Sequence, residues 1–305
     1  MLSAERTVMV MHILTLTLSW LFVADIALAQ DAHIARLGEE LESPNVAIRR
    51  QAAQSLGRIG QPQTVALLNS AMQTEDNVSI RLEVVRALRN ISFLREPGFR
   101  QALRAIAKAA DEQQEEDSLV RLRATEALWE AGRKDLLDPV PFLDRVLSDP
   151  SQRLRLSAVQ MLRKLGTPET IDPLGRTANN RDQTDSIRLK AIDAIGAVAL
   201  MDLGPAGRNV AQANIRTTDL LQIAPLVNLK AISRRHEKQI AYLANVVRNS
   251  ENSTTLMLRA VKSIGQVKDK SSVPILQEIV ETHRSETVRK QATRVLSHVL
   301  ARQYE

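Results

Sequence analysis

An internal repeat of about 33 residues decides what this chain can fold into. Seven copies align on Leu56, Leu88, Leu128, Leu162, Ile195, Ile264 and Leu296. Four positions earlier stand Ala52, Val84, Ala124, Ala158, Ala191, Ala260 and Ala292, and eight earlier Ile48, Ile80, Val120, Leu154, Ile187, Leu256 and Val288. Three positions later come Ile59, Ile91, Ala131, Leu165, Val198, Val267 and Val299. Offsets of −8, −4, 0 and +3 share one face of a helix, and all four columns are apolar in every copy. Eleven positions before the anchor stand Asn45, Asn77, Asp117, Ser151, Thr184, Ser253 and Ser285, side chains that can accept from the free N–H groups of a first turn. Gly60, Gly132 and Gly166 mark exits from the helix.

A second amphipathic stretch precedes these helices, as in Ile34–Leu41, Val65–Met72, Phe99–Ala110, Phe142–Leu147, Gln239–Val247 and Val273–Val280. Each unit is therefore a helix–turn–helix that must stack on its neighbours to bury both faces. Aromatic residues make up only 3% of the chain, which suits thin layers filled by Ala, Leu, Ile and Val. Two places depart from the rule. The acidic run Asp111–Asp117 lengthens one loop and reads as solvated. The wide spacing from Ile195 to Ile264 predicts one degenerate repeat, with an irregular stretch near 200–238 broken by Pro205 and Pro225. That stretch is either drift in a neutral repeat or a binding segment.

The phrases VAIRRQAAQSLGRIG (46–60), LVRLRATEALWEAG (119–132), LRLSAVQMLRKLG (154–166) and SIRLKAIDAIGAV (186–198) resemble the second helix of HEAT-like repeats of the phycobilisome-lyase type. The resemblance covers most of Asp31–Gln303. It implies an all-α fold, an α-solenoid of about eight armadillo-like helix-turn-helix repeats wound as a right-handed superhelix. Architecture of this kind serves many unrelated roles.

The first 29 residues differ. Arg6 precedes an apolar run from Val8 to Ala24, and Ala27-Leu28-Ala29 has the small residues of a signal-peptidase site. This predicts export, to a periplasm-like compartment, with cleavage after Ala29; an uncleaved anchor is the other reading. Cleavage removes Glu5, Arg6 and Asp25 and raises the net charge of +6 by one. With no cysteine, neither a lipid anchor nor a disulfide is available.

Seven positions before the anchor comes a column of arginines, Arg49, Arg81, Arg121, Arg155, Arg188 and Arg289, with Met257 in the remaining copy. A phosphate-binding ladder is one reading. Their fixed offset beside the core and capping columns instead predicts a structural repeat arginine, tying loops between helices through its five donors. A partner is expected on the polar columns at −5, −2 and +2. That candidate face holds Arg58, Glu83, Arg86, Arg123, Glu126, Gln160, Lys164, Lys190, Arg259, Lys262 and Arg294, with both charge signs present. In HEAT-like stacks this helix lines the concave surface, so the resemblance places a protein or peptide there.

Catalytic motifs are missing: a cysteine nucleophile, GxSxG, a Walker loop, a Rossmann fingerprint and an i,i+4 histidine pair are all absent from the sequence. HEAT-repeat iron hydroxylases carry His-Glu dipeptides in several repeats; this chain has one, His236-Glu237. The expectation is a monomeric, non-catalytic, exported scaffold with no cofactor or metal and no catalytic residue. A lyase- or oxidoreductase-type enzyme or enzyme accessory is the alternative. Nucleic-acid binding, suggested by a pI near 9.8, is weaker because aromatics for base stacking are scarce.

Overall fold

The computed structural model describes residues 28–94, 97–132, 138–201, 229–267 and 269–301. Residues 1–27 of the expected signal segment lie outside them, as does most of the irregular stretch near 200–238, whereas the expected cleavage point after Ala29 falls in a helix that begins at residue 28. Every regular element among the described residues is helical, and none is long and apolar enough to cross a membrane. The chain forms two compact units, Met1–Leu137 and Asp138–Glu305.

The first unit holds α1 (28–41), α2 (Val46–Ile59), α3 (Pro62–Thr74), α4 (Val78–Phe93), α5 (Phe99–Ala110) and α6 (Ser118–Glu130). These form three helix pairs. The second helices α2, α4 and α6 pack side by side, α3 packs on α5, and Ile34, Leu37 and Leu41 of α1 enter the same core as Leu56, Leu68, Leu88 and Leu128. The entry to α2 and to α4 is closed as the sequence predicts. Asn45 accepts from the Ala47 N–H and Asn77 from the Ser79 N–H, while Asp117 caps α6 through the N–H groups of Leu119 and Val120. Gly60 and Gly132 take φ of 74° and 73°, a left-handed conformation that suits glycine at a helix end.

The second unit holds α7 (Pro139–Val146), α8 (Gln152–Leu165), α9 (Ile171–Asn179), α10 (Asp185–Met201), α11 (Leu229–Arg248), α12 (Thr254–Val267), α13 (Ser272–Thr282) and α14 (Glu286–Ala301). The second helices α8, α10, α12 and α14 again pack in order. Helix α9 is the first helix expected before the Ile195 copy, although the repeat pattern set no bounds for it. Its apolar face is only Ile171, Leu174 and Ala178, interrupted by Pro173 and Gly175. Proline is tolerated there because it sits in the first turn, and Gly175 lies against the Tyr242 ring.

Three sequence expectations need correction. Ile48, assigned to the core, is 39% exposed, because among the described residues no earlier second helix covers the start of α2. Leu154 of α8 is only half-buried, and Ser151 makes no side-chain cap bond. Residues 202–228, which hold most of the irregular repeat expected between Ile195 and Ile264, lie outside the described residues; on either side of them α10 packs directly against α12 and α9 against α11. The join is bonded: Arg188 Nη2 donates to Asn252 Oδ1 at 2.6 Å, and Gln239 Nε2 to the Ile195 carbonyl at 2.9 Å.

Replacing residues 202–228 with a short Gly-Ser linker should therefore leave the stack intact. Loop length changes closure entropy by only about 0.6 kcal/mol per doubling. The urea midpoint should move by less than the equivalent of about 1 kcal/mol. Loss of the cooperative transition would show that the excised residues belong to the layer packing.

Candidate partner-binding face

The column at −7 proves to be bonded inward. Arg49 Nη1 donates to the carbonyls of Ser43 and Pro44, at 2.8 and 3.3 Å. The same fork recurs from Arg81 to Glu75 and Asp76, from Arg121 to Glu115 and Glu116, from Arg155 to Asp149 and Pro150, and from Arg289 to His283 and Arg284. Each arginine holds the two carbonyls that lie six and five residues before it, at the end of the incoming loop. Arg188 alone departs from the fork, donating to the Ala178 carbonyl and to Asn252. Burial pushes its guanidinium down from its ordinary value, with Asp185 opposing. The forking Nη1 donors are engaged by the chain's own loop carbonyls, as a framework role expects, while the Nε atoms of Arg81 and Arg155 are buried without a hydrogen-bond partner among the described residues.

A second column, missed in the sequence, completes the frame. Thirteen positions before the anchor stand Glu75, Glu115, Asp149, Asp182 and Glu251, with Ser43 and His283 in the remaining copies. Glu75 receives Arg49 of the preceding repeat in a two-bonded pair, Nε to Oε2 at 2.7 Å and Nη2 to Oε1 at 3.1 Å. Glu115, from the run expected to be solvated, is 5% exposed and meets Arg81 at 3.2 Å. The copy with Met257 for arginine precedes the copy with His283 for the acid, so both partners are lost together. The paired loss agrees with the contact, but one instance among seven copies does not reveal it without the structure.

The columns at −5, −2 and +2 point away from the core, and the two units differ there. In Met1–Leu137, Arg58, Arg86 and Arg123 are exposed. Glu83 is buried at 8% exposure, contrary to its assignment to a solvated column, and pairs with Arg86 at 3.1 Å. Arg123 pairs with the half-buried Glu126 at 2.8 Å, and Glu130 with Arg89 at 2.6 Å. Each acid on this part of the face is thus matched by a cation of its own unit.

In Asp138–Glu305, Gln160, Lys164, Lys190, Arg259, Lys262 and Arg294 are all exposed on the corresponding columns of α8, α10, α12 and α14. Arg153 of α8, at offset −9, lies on the same side and was overlooked. Asp193 is the single acid among these positions, paired with Arg259 at 3.4 Å.

The first-helix side of the second unit carries a separate polar network. Asp172 Oδ2 receives Lys238 Nζ at 2.6 Å, and its Oδ1 receives the Tyr242 hydroxyl at 3.0 Å. Burial alone would raise the Asp172 carboxyl, but these two donors hold it below the usual carboxylate range. The same burial and the adjacent carboxylate push the Tyr242 hydroxyl up. His236 of the lone His-Glu dipeptide contacts Asp269, Nδ1 to Oδ2 at 2.9 Å, and so joins α11 to the start of α13. No group of three His, Asp or Glu side chains converges as a metal-ligand set among the described residues. What the two faces offer chemically is binding through charge and hydrogen bonds.

A bilin biosynthesis protein, PecE of Mastigocladus laminosus, is 27% identical over 188 residues, which span 61% of this chain and 61% of that protein. Human deoxyhypusine hydroxylase in complex with glycerol aligns over 89% of this chain and 98% of its own, at 15% identity and a TM-score of 0.34. A chain from the computational design of self-assembling cyclic homooligomers aligns over 91% and 92%, at 16% identity and a TM-score of 0.26. HEAT repeats match residues 34–115 and 113–196. With more than half its length matched and its helix pairs stacked in series, the chain belongs to the HEAT-repeat family.

Proposed function

We propose that this protein is an enzyme accessory of the bilin-lyase type, which holds a protein partner on the polar columns of its second helices. The observation that carries this reading is the similarity to a bilin biosynthesis protein across 188 residues of the repeat region. The exposed, outward-facing columns support the binding part, since the framework arginines are already engaged with their own loops. The chain supplies a surface and the associated chemistry resides with its partners. The test is removal of the gene from its host, with covalently bound bilin on host proteins measured by zinc-enhanced fluorescence of denaturing gels. Loss of one labelled band, restored by the wild-type gene, is the expected result. An unchanged band pattern would overturn the accessory role.

A second reading, an exported scaffold without a link to bilins, is favoured by the apolar run Val8–Ala24 and the Ala27-Leu28-Ala29 ending. Sequencing the N-terminus of protein isolated from its host separates the two. A chain beginning at Gln30 supports export to a periplasm-like compartment, and one that begins at Met1 and fractionates with the cytoplasm removes its basis.

A further inference from the structure

The second-helix face is electrically uneven. On the −9, −5, −2 and +2 columns of Met1–Leu137, Arg58, Arg86 and Arg123 are balanced by Glu83, Glu126 and Glu130. On the same columns of Asp138–Glu305, Arg153, Lys164, Lys190, Arg259, Lys262 and Arg294 face the single acid Asp193. All six cations are exposed, and Arg153, Lys190, Lys262 and Arg294 form no ion pair among the described residues. Because α8, α10, α12 and α14 lie side by side in order, each layer contributes at least one of these charges.

We infer that this face of Asp138–Glu305 receives an extended acidic segment of a partner protein. The inference deepens the partner-binding reading above and rests on it. Arg153, Lys190, Lys262 and Arg294 have no ion-pair counterpart among the described residues, and like charges left side by side repel, so an anionic occupant gains wherever it neutralises them. Spacing selects the kind of anion. Packed helices stand about 8–10 Å apart. An extended polypeptide in the polyproline II conformation turns once every three residues and rises about 3.1 Å per residue, so acids at every third position share one face about 9 Å apart and meet successive layers. Single-stranded nucleic acid draws much of its affinity from aromatic stacking, and these columns carry no Phe, Tyr or Trp. A membrane surface would need an apolar face to insert, and the small Ala197 is the one apolar residue on them.

The test uses the full chain and a fluorescein-labelled twelve-residue peptide with glutamate at every third position and glycine or serine between, read by anisotropy. Saturable binding that weakens as salt rises is expected. The triple variant Lys190→Glu/Lys262→Glu/Arg294→Glu should lose about tenfold or more in affinity, since three contacts invert from attraction to repulsion. A reversal off the second helices in the other unit, Arg100→Glu/Arg104→Glu/Lys108→Glu on the exposed side of α5, should change it by less than about twofold. Circular dichroism verifies that each variant is folded. Should the reversal in the second unit unfold the chain, Lys190→Gln/Lys262→Gln/Arg294→Gln carries the same direction of effect. No saturable binding at low salt, equal loss in both variants, or tighter binding of an oligodeoxynucleotide of equal charge would overturn the inference. If peptide binding fails while host bilin attachment still depends on the gene, this assignment falls and the accessory role stands. If the peptide binds as described and bilin attachment is indifferent to the gene, the reverse holds.

Discussion

Replacing Arg81 with leucine should cost about 3–5 kcal/mol of unfolding free energy, read as a fall in the urea midpoint. The side chain is buried, forks onto the Glu75 and Asp76 carbonyls, and meets Glu115, itself 5% exposed. Leucine fills much of the volume but leaves a buried carboxylate without its cation and two loop carbonyls without their donor. Substituting both members, Arg81→Leu with Glu115→Gln, should recover part of the loss, because the stranded charge is then gone. Arg58→Leu provides the contrast: an exposed arginine in the last turn of α2, it should cost no more than about 1 kcal/mol. Equal effects at the two positions would show that the −7 column is not framework.

Gly57→Val is the second large effect, at about 3 kcal/mol. A Cβ at Gly57 would stand 2.7 Å from the Ala87 Cβ and 2.8 Å from its Cα, so α2 and α4 would have to move apart. No side-chain rotation relieves a clash with backbone. A free helical site would instead gain about 1 kcal/mol on going from glycine to alanine. The sign of Gly57→Ala therefore reports the contact directly: destabilisation confirms the close approach, and a rise in the urea midpoint would refute it. Pairing Gly57→Ala with Ala87→Gly should return part of the loss, since the nearest of the clashing atoms is removed.

These two positions show how unevenly the fold was legible. The α2 register was plain from Ile59, Leu56 and Ala52, because an amphipathic stripe, a capping residue and a glycine exit all mark one helix. Gly57 looked like any glycine in a helix, since its reason lies on α4. Arg81 could be recognised as framework from its fixed offset, but its acid could not, because Glu115 sits in a run of acids that resembles a solvated loop. The bounds of helix α9 were not legible because its stripe is short and holds both Pro173 and Gly175.

The candidate face divides the same way. Its columns were predictable from helical periodicity, yet taken along the whole chain the charges read as mixed. Only the division into Met1–Leu137 and Asp138–Glu305, with Glu83 buried against its own Arg86, separates a neutralised stretch from a basic one.

By itself, then, the sequence determined the helix-pair repeat, its register and the inward arginine column, because each depends on contacts a few residues apart that recur with fixed spacing. Tertiary structure alone decided that α10 meets α12 across the residues 202–228, that Glu75 and Glu115 receive the arginines of the preceding repeat, and that positive charge collects on one unit. Those outcomes depend on which distant segments become neighbours, and stacking, not local periodicity, sets that.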